Sequence, residues 1–543
     1  MKIVLEGNEY ITTCTTYYEL AESLNMAPYP ALGVTVNNNY YELDRCIEEN
    51  DVVEWLTFKS QGGNFMYQHG LILLLKKALK DVTSINCNIE IANSLNKGIY
   101  IQVKQQLSKE EVGRVENRMK ELVELDLPIT KVVLTKEEMI SFCKEEGLKE
   151  TEHLVKSNAK KTYILHELEG VRCWLNGWSV ITTSAFKLFE LLKYKYGLLL
   201  RFPLFTDLNK VLPYEDQQVL YKAFAEATKW HQLMRINYVA DLNRMVESGK
   251  IGEIIQISEA LHEKKISDIA DMIKSSGKRM VLIAGPSSSG KTTFAKRLCI
   301  QLKITGLDPL YLGTDDYFKE REETPLDENG EKDFEGLGAV DIDLFNQQMK
   351  DLLEGKEVDL PTFDFITGSK RFGERITKLD KHQIIVIEGI HGLNNELTPL
   401  FTDDQKFKIY ISPLTPLNID RNNRISTTDA RMLRRMVRDM RLRGKSVEST
   451  IMEWPKVRKG EEKNIFPYSK DADIFFNSVH IYEMAILKYY VQPLLKEIDT
   501  SSEVYGEAQR LVKFLDLFSG IEADNKILAN SIIREFIGGS IFM

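Results

Sequence analysis

The stretch RMVLIAGPSSSGKTTFAKRL, from Arg279 to Leu298, decides how the second half of this chain folds. Its apolar run at 280–284 predicts a buried parallel strand, and the amphipathic segment from Lys291 onward predicts a helix. Between them lies the spacing G-x-x-x-x-G-K-[ST], which between a strand and a helix is typical of a loop that binds a nucleoside triphosphate. The alternative interpretation is a glycine- and serine-rich loop that only caps the helix.

The residue types of this loop suit triphosphate binding. Glycines allow backbone N–H groups to turn toward phosphates, and the helix N-terminus adds partial positive charge at the same point. Lys291 would reach the β- and γ-phosphates, and the Thr292 hydroxyl would hold Mg²⁺. A nucleoside triphosphate and Mg²⁺ are therefore the expected ligands of this loop. The predicted nucleotide-binding residues are Gly285, Ser287, Ser288, Ser289, Gly290, Lys291, Thr292 and Thr293.

Composition bounds the class of protein. The 543 residues are enough for about two to four domains, and 43% hydrophobic with 28% charged residues is ordinary for a globular protein. The net charge of −9 argues against general adhesion to nucleic acid. Six scattered cysteines without a C-x-x-C pair indicate reduced thiols. Without a signal peptide or a long apolar run, we expect a cytoplasmic location and no membrane partner; a homo-oligomer stays open.

Residues 1–60 are predicted to form a small mixed domain. The segments KIVLEG, EYITT, TTYYELAESLN, ALGVTVNN and DVVEWLTF give the order strand, strand, helix, strand, strand, which predicts a β-grasp fold. The stretch ALGVTVNNNYYELDRCIEENDVVEWLTF resembles the TGS domain at the front of threonyl-tRNA synthetases. No candidate acid, base or metal ligand stands out, so an interaction module is the favoured interpretation.

Residues 61–203 are predicted to form an α+β domain. By its placement after the first domain, it resembles the second additional, editing-type domain of threonyl- and alanyl-tRNA synthetases. That resemblance implies an H-x-x-x-H pair with a later Cys and His. Here His69 matches the second histidine, Phe65 stands at the first, and Cys173 has no matching downstream histidine. Because a catalytic zinc needs three convergent ligands, we expect a degenerate domain in which His69 is a helix-face residue.

Residues 204–277 are predicted to be a helical connector, with His231 and His262 as surface or packing residues, and residues 278–543 an α/β domain. Strands at RMVLIAG, LYLGT, HQIIVIEGI and FKIYISP alternate with helices, which predicts a parallel sheet with helices on both faces. Ligands bind such sheets at the C-terminal ends of the strands.

Acidic residues follow two of these strands. Asp315 and Asp316 end LYLGT, where a carboxylate can accept the proton of a hydroxyl that attacks the γ-phosphate. Either of the two could instead cap the next helix. Glu388 ends the third strand, opposite the loop, where an acid can orient Mg²⁺ or its water shell. The alternative for Glu388 is a structural pair with a nearby base.

The segment RISTTDARMLRRMVRDMRLRG is rich in arginine. Four arginines share one face of the predicted helix: Arg431, Arg434, Arg435 and Arg438. Acidic residues inside the helix are few, only Asp429 and Asp439, so we expect the guanidiniums to repel one another until a triphosphate binds. Without nucleotide the helix would stay open, and with nucleotide it would close over the triphosphate as a lid. The alternative is a merely solvated face.

Six motifs in a fixed order point to one family: GPSSSGKTT, TDDYF, DFEGLGAVDIDLF, LPTFDFITGSKRF, VIEGI and TDARMLRRMVRDMRLRG. Together they resemble the uridine kinase and phosphoribulokinase family, over about the second half of the chain. The resemblance implies Asp315 as general base, Glu388 as the acid of the E-G-I strand end, and Glu335 as an acid that binds ribose hydroxyls.

The same resemblance implies roles for the arginines. Arg431 falls on a substrate-side arginine, and Arg434 and Arg435 fall on lid arginines near ATP. With Asp315 and Lys291, Arg434 and Arg435 are therefore the predicted catalytic residues.

The predicted acceptor site departs from the family pattern. The pyrimidine kinases carry PxYDFxxHxR, whose Tyr and His serve the base; here Phe363 and Gly368 stand at those positions, and Phe318 replaces another Tyr. A site that loses such polar groups loses discrimination between substrates. The predicted substrate-binding residues are Glu335, Phe318, Phe363 and Arg431.

These residues favour ATP-dependent phosphorylation of a small hydroxyl compound, above all the 5′-hydroxyl of uridine or cytidine. A kinase for another nucleoside or a sugar is the rival within the class. An RNA- or tRNA-associated NTP-dependent binding protein is the alternative from another class. Its support is the order of the domains, and the net charge of −9 speaks against it.

Overall fold

The structure is a computed structural model that describes residues 1–26, 30–83, 89–204, 207–327, 330–522 and 526–542. None of the helices in these ranges is long and apolar enough to cross a membrane. Cys87 lies outside the described residues, and the other five cysteines are free thiols.

Residues 1–60 form a five-stranded sheet with one helix. The strand order is β2-β1-β5-β3-β4; β1 and β5 run parallel and the other neighbours antiparallel. Thr16 caps the helix, whose Tyr17 and Leu20 are buried against the sheet. The predicted order of elements is present, with β4 in addition; the TGS likeness stays a prediction. The elements are β1 (Lys2–Leu5), β2 (Asn8–Ile11), α1 (Tyr17–Leu24), β3 (Gly33–Val36), β4 (Asn39–Tyr41) and β5 (Val52–Leu56).

The next unit is organised around one long apolar helix, which shares a core with the inner faces of a four-stranded and a three-stranded sheet. Its elements are α2 (Gln61–Val82), β6 (Ile89–Leu95), β7 (Gly98–Val103), α3 (Lys109–Glu124), β8 (Thr130–Thr135), α4 (Lys136–Glu145), α5 (Lys149–Ser157), β9 (Thr162–Leu168), β10 (Val171–Trp174), β11 (Glu190–Tyr194) and β12 (Gly197–Arg201). The sheets have the orders β11-β12-β7-β6 and β10-β9-β8, and all their neighbouring strands are antiparallel.

Two histidines of this unit have protein partners. His69 Nδ1 lies 2.9 Å from the Trp178 carbonyl oxygen, so this ring nitrogen donates. His166 Nε2 lies 2.7 Å from the carboxylate of Glu42. Within the described residues there is no group of three or more His, Cys, Asp or Glu side chains that could hold a metal ion.

Three helices, α6 (Gln218–Met234), α7 (Val239–Glu247) and α8 (Ile251–Ser276), follow the second unit. They share the core of the α/β domain, since Ile266, Ile269 and Ile273 of α8 lie in one buried cluster with the helix that follows the phosphate loop. His231 and His262 are buried packing residues. The predicted helix stop is confirmed, because Gly277 takes a left-handed conformation (φ +68°) directly before the sheet.

Five parallel strands build the remaining domain, in the order β14-β19-β13-β20-β21. Val281 and Ile283 of β13 face the cluster that contains α8 and α9, while Met280 and Leu282 face the cluster around α10. The predicted parallel sheet with helices on both faces is confirmed. The elements as far as the fourth parallel strand are β13 (Met280–Ala284), α9 (Lys291–Ile304), β14 (Asp308–Gly313), α10 (Ile342–Leu353), β15 (Glu357–Asp359), β16 (Thr362–Asp364), β17 (Ser369–Arg371), β18 (Ile376–Lys378), β19 (Gln383–Glu388) and β20 (Lys406–Ser412).

The chain then forms α11 (Thr427–Arg443), α12 (Val447–Asn464), β21 (Ile474–Asn477), α13 (Glu483–Lys496), α14 (Tyr505–Leu515) and α15 (Arg534–Ile537). The short strand β21 extends the sheet beyond the four predicted strands. Because all strands are parallel, the C-terminal ends of β13, β14 and β19 bring the phosphate loop, the Asp315–Asp316 pair and Glu388 to one edge.

Candidate active site

The loop between β13 and α9 has the backbone shape that its sequence predicts. Ser288 (φ +59°) and Gly290 (φ +85°) take left-handed conformations, which turn the chain around the helix N-terminus. A Cβ on Gly285 would overlap the carbonyl oxygen of Ile411 on β20, and one on Gly290 would lie 2.5 Å from Ile532. The loop can therefore lie against its neighbours only with glycine at both positions.

Polar groups of the loop are directed at its own concave surface. Lys291 Nζ donates to the carbonyl oxygens of Gly285 at 3.0 Å and Pro286 at 3.3 Å. The hydroxyls of Ser288 and Ser289 are buried without a hydrogen-bond partner among the described residues. Unpaired buried hydroxyls are rare, and an ammonium beside a helix N-terminus suits an anion. The loop thus fits a phosphate group.

A second set of oxygen atoms meets at the end of β19. The Thr292 hydroxyl donates to Glu388 Oε1 at 2.9 Å, and the Tyr311 hydroxyl reaches the same oxygen at 3.3 Å. The two residues predicted to hold the metal ion are therefore adjacent. Carboxylate and hydroxyl oxygens are the ligand types that Mg²⁺ prefers, so this donor set fits the ion.

Asp315 and Asp316 have different surroundings. Asp316 Oδ2 accepts a hydrogen bond from Arg375 at 2.8 Å, and its Oδ1 lies 3.4 Å from the backbone nitrogen of Phe363. Asp315 is exposed at the cleft, and its carboxylate forms no hydrogen bond or ion pair with a described residue. Desolvation by the surrounding protein and the negative charge of Glu388 raise the pKa of Asp315 to about 6, against the opposing effect of Lys291.

Aromatic rings stand beside this pair of acids. Phe318 and Phe363, both predicted to bind the substrate, pack edge to face with 5.7 Å between ring centroids. Phe365 joins them, with its ring centroid 5.2 Å from that of Phe363. Phe365 was missed because it lies just outside a three-residue strand, too short for a periodicity. Gly368 (φ +72°) allows the turn between β16 and β17 to lie against Arg321.

Glu335 lies against α12. Its carboxylate abuts Gly460, where a Cβ would overlap it. Desolvation and the nearby Glu461 raise the pKa of Glu335, whereas Arg435 lowers it.

The expectation that the arginines of α11 lack acidic partners is wrong. All four pair with carboxylates: Arg431 with Glu461, Arg434 with Glu483, Arg435 with Asp439 and Glu453, and Arg438 with Asp439. Three of these acids lie on α12 and α13, so a count restricted to one helix could not find them. The helix is packed rather than open, because mutual repulsion is compensated from neighbouring elements.

Three of these arginines contact the phosphate loop. Arg431 Nε donates to the Ser287 carbonyl oxygen at 3.1 Å, and Arg435 Nη1 donates to the Ser287 hydroxyl at 3.0 Å. The fully buried Arg434 supports the loop through the Ser288 carbonyl oxygen and holds Ser478 and Glu483. All its N–H groups are bonded to protein atoms. Direct contacts of these arginines with substrates stay predictions.

Two glutamates that the sequence did not single out contact the loop. Glu461 accepts a hydrogen bond from the Ser287 backbone N–H at 3.0 Å. Glu535 accepts one from the Thr293 hydroxyl at 2.8 Å and one from its backbone N–H at 3.2 Å. Glu535 follows Thr293 by 242 positions, and no local pattern relates residues so far apart.

Comparison with known proteins agrees with this geometry. Residues 280–485 match the Phosphoribulokinase / Uridine kinase family. Uridine kinase of Staphylococcus epidermidis is 32% identical over 193 residues, which cover 35% of this chain and 84% of that protein. The chain belongs to the phosphoribulokinase/uridine kinase family.

A second relative and a solved structure are also similar to this chain. Uridine kinase of Staphylococcus aureus strain JH9 matches with the same identity and coverage. A solved structure described as a "Possible Uridine Kinase from Bacillus stearothermophilus" is 21% identical, covers 39% of this chain and 97% of its own, and has a TM-score of 0.27. Because residues 280–485 match the family model, this part of the chain is a P-loop kinase domain, and kinases of this kind use ATP and Mg²⁺.

Proposed function

We propose that the protein transfers the γ-phosphoryl group of ATP to a hydroxyl of a small acceptor, above all the 5′-hydroxyl of uridine or cytidine. The observation that carries this proposal is Asp315, an unpaired carboxylate at the end of β14 with a pKa of about 6. A general base works best when its pKa lies near the working pH and its oxygen is open to the substrate.

The phosphate loop, residues 285–293, would hold the triphosphate, and Thr292 with Glu388 would hold Mg²⁺. The bound ion neutralises charge on the transferring phosphoryl group. Lys291 adds a positive charge beside the γ-phosphate, and Arg435 reaches the loop from α11. Phosphoryl transfer depends mainly on positioning and charge, so these groups account for most of the chemistry that the site needs.

The two aspartates divide the work on the acceptor. Asp315 takes the proton of the acceptor hydroxyl as its oxygen attacks the phosphorus atom. Asp316 is held by Arg375 and contacts the backbone of β16, so it positions the aromatic side of the cleft. This separation supports Asp315 over Asp316 as the base.

The acceptor side supports a flat, partly apolar substrate. Phe318, Phe363 and Phe365 form a wall on which a base can stack, and stacking tolerates different bases because each has an aromatic face. Glu335 is the predicted partner of ribose hydroxyls. The name of the Staphylococcus relatives, uridine kinase, favours a pyrimidine nucleoside. Because the aromatic wall lacks the family's Tyr and His, other nucleosides and sugars stay alternative acceptors.

A screen for ADP release tests the proposal. The wild-type protein with Mg·ATP is offered uridine, cytidine, adenosine, guanosine, ribose and ribulose 5-phosphate, and acceptor-dependent ADP release is expected to be fastest with uridine or cytidine. Fastest release with another nucleoside or a sugar replaces the pyrimidine assignment with that acceptor.

Asp315→Asn tests the base. It should lower turnover by about three orders of magnitude or more while Mg·ATP still binds. Asp316→Asn is the matched control. We expect it to raise the KM for the acceptor and to lower turnover less than Asp315→Asn does. Near-normal turnover of Asp315→Asn would show that another group is the base.

A further inference from the structure

A small cavity that opens to solvent lies between the second N-terminal unit and the kinase domain. One wall comes from α2 and the loop after β10, and the other from the segment before α11 and from α14. The apolar part of its lining includes Phe65, Met66, Ile72, Trp178, Ile419 and Phe514. The cavity is separate from the phosphate loop and is not needed by the kinase chemistry described above.

Arg424 brings a positive charge to this cavity. Its Nη2 donates to Gln68 Oε1 at 3.1 Å, and it forms no ion pair with any described residue. The acid beside it, Asp429, is already held by both terminal nitrogens of Arg510, at 2.7 and 2.9 Å. A largely desolvated guanidinium without a counter-ion is costly, which makes an anion at this place favourable.

The amide of Asn422 provides a second donor. Its oxygen accepts a hydrogen bond from Lys76 Nζ at 2.8 Å, and since an ammonium can only donate, this contact fixes which end of the amide is the NH₂ group. That Nδ2 is buried and has no hydrogen-bond partner among the described residues. Asn422 is 2% exposed and lines the cavity. A buried donor without a partner indicates a missing acceptor.

The other polar groups of the lining include a helix N-terminus, a neutral histidine and the paired carboxylate of Asp429. Ser426, the N-cap of α11, lines the cavity, so the positive end of a 17-residue helix is close. His69 also lines it, but burial lowers the pKa of His69 to about 4, so its ring is neutral at pH 7. Its Nδ1 donates to the Trp178 carbonyl oxygen, which leaves Nε2 as an acceptor.

We propose that this interdomain cavity binds a small organic anion with an apolar body, whose carboxylate or phosphate ester bonds to Arg424 and to the Asn422 amide. The apolar body would lie against Phe65, Trp178 and Phe514. An anion alone would leave this wall unused, and a purely apolar ligand would leave the guanidinium and the amide unpaired.

Calorimetric titration of the full chain with benzoate, phenyl phosphate and the neutral benzamide tests the proposal. Each is added in the presence of saturating Mg·ATP, which keeps the phosphate loop occupied. We expect at least one of the anions to bind with a dissociation constant of about 1 mM or tighter, and benzamide about tenfold more weakly or worse. Whichever anion binds better identifies the acid group of the ligand.

Two variants locate the binding. Arg424→Gln keeps the length and polarity of the side chain and should weaken the anion about tenfold or more. Asn422→Asp keeps the shape of the side chain and its contact with Lys76. It should also weaken the anion about tenfold or more, because the new carboxylate repels it. Arg172→Gln, which removes an exposed arginine paired with Glu167, is the control and should bind like wild type.

Several results would overturn the proposal. They are equal binding of benzamide and both anions, anion binding that neither variant at the cavity changes, and no anion binding up to about 10 mM. A variant that does not fold is recognised by its circular dichroism, and the other variant then decides. Because Mg·ATP is present throughout, the outcome does not depend on which acceptor the kinase uses.

Discussion

The carboxylate of Glu461 lies on the phosphate loop, 3.0 Å from the backbone nitrogen of Ser287, while it also pairs with the buried guanidinium of Arg431. Arg431 Nε in turn donates to the Ser287 carbonyl oxygen at 3.1 Å. One residue of the loop is thus held at both its N–H and its C=O by a charge pair whose two side chains are each 2% exposed. The loop's shape is therefore supported from α11 and α12.

Removing one member of this pair should destabilise the kinase domain. Glu461→Ala would leave Arg431 buried without its counter-charge, which costs about 3–5 kcal/mol. Urea unfolding followed by tryptophan fluorescence measures the loss, since Trp454 lies under the Arg431 guanidinium. Glu331→Ala is the control: it breaks an exposed pair with Lys456 and should cost about 0.5 kcal/mol or less. Equal midpoints for the two variants would contradict the importance of the buried pair.

The pH dependence of the reaction should report Asp315. Its pKa is raised to about 6, and a base accepts a proton only when it is ionised, so kcat/KM should fall about tenfold per pH unit below 6 and level off above. Asp316→Asn should keep this inflection and move it slightly lower, because the charge of Asp316 helps to raise the pKa of Asp315. In Asp315→Asn the inflection should vanish. An unchanged profile in that variant would assign the inflection to another group.

Thr292 should determine the requirement for Mg²⁺. Thr292→Val removes the hydroxyl that contacts Glu388 and keeps the shape of the side chain, so half-maximal activity should need about tenfold more Mg²⁺ or more. Thr292→Ser restores the hydroxyl and should behave nearly like wild type. Activity is titrated with Mg²⁺ at a fixed concentration of ATP. Equal Mg²⁺ curves for the valine and serine variants would exclude the hydroxyl as a ligand.

Local features of the chain could be predicted from sequence. The buried strand 280–284, the glycines of the loop and the acids at the ends of β14 and β19 follow from patterns that span a few residues. Short elements such as β4 and β21 were not predicted, because three or four residues show no clear hydrophobic periodicity. The parallel direction of the strands follows from their alternation with helices.

Long-range partners could not be predicted. Arg431 and Glu461 are 30 positions apart, Arg434 and Glu483 are 49 apart, and Thr293 and Glu535 are 242 apart. An isolated cationic helix face therefore looks unpaired in the sequence, although tertiary contacts neutralise it. The same reason hides the cavity at Arg424, because its walls come from segments that are far apart in the chain.

Arg435 and Arg438 offer a matched test of the predicted catalytic arginine. Both contact Asp439 on the same helix, and their side chains are 11% and 12% exposed. Only Arg435 also reaches the phosphate loop, through the Ser287 hydroxyl at 3.0 Å. The guanidinium of Arg435 is thus placed to stabilise charge on the transferring phosphoryl group, whereas Arg438 mainly neutralises Asp439.

Arg435→Ala should therefore lower kcat about 100-fold or more and change the dissociation constant of Mg·ATP about threefold or less, because the contact matters most in the transition state. Arg438→Ala should leave kcat within about threefold of wild type. Both variants remove a partner of Asp439, so their melting temperatures should fall by similar amounts, which separates the catalytic loss from a loss of stability. Single-turnover kinetics and ATP titration of both variants measure these quantities. Equal losses of kcat would show that Arg435 acts only through Asp439 and the packing of α11.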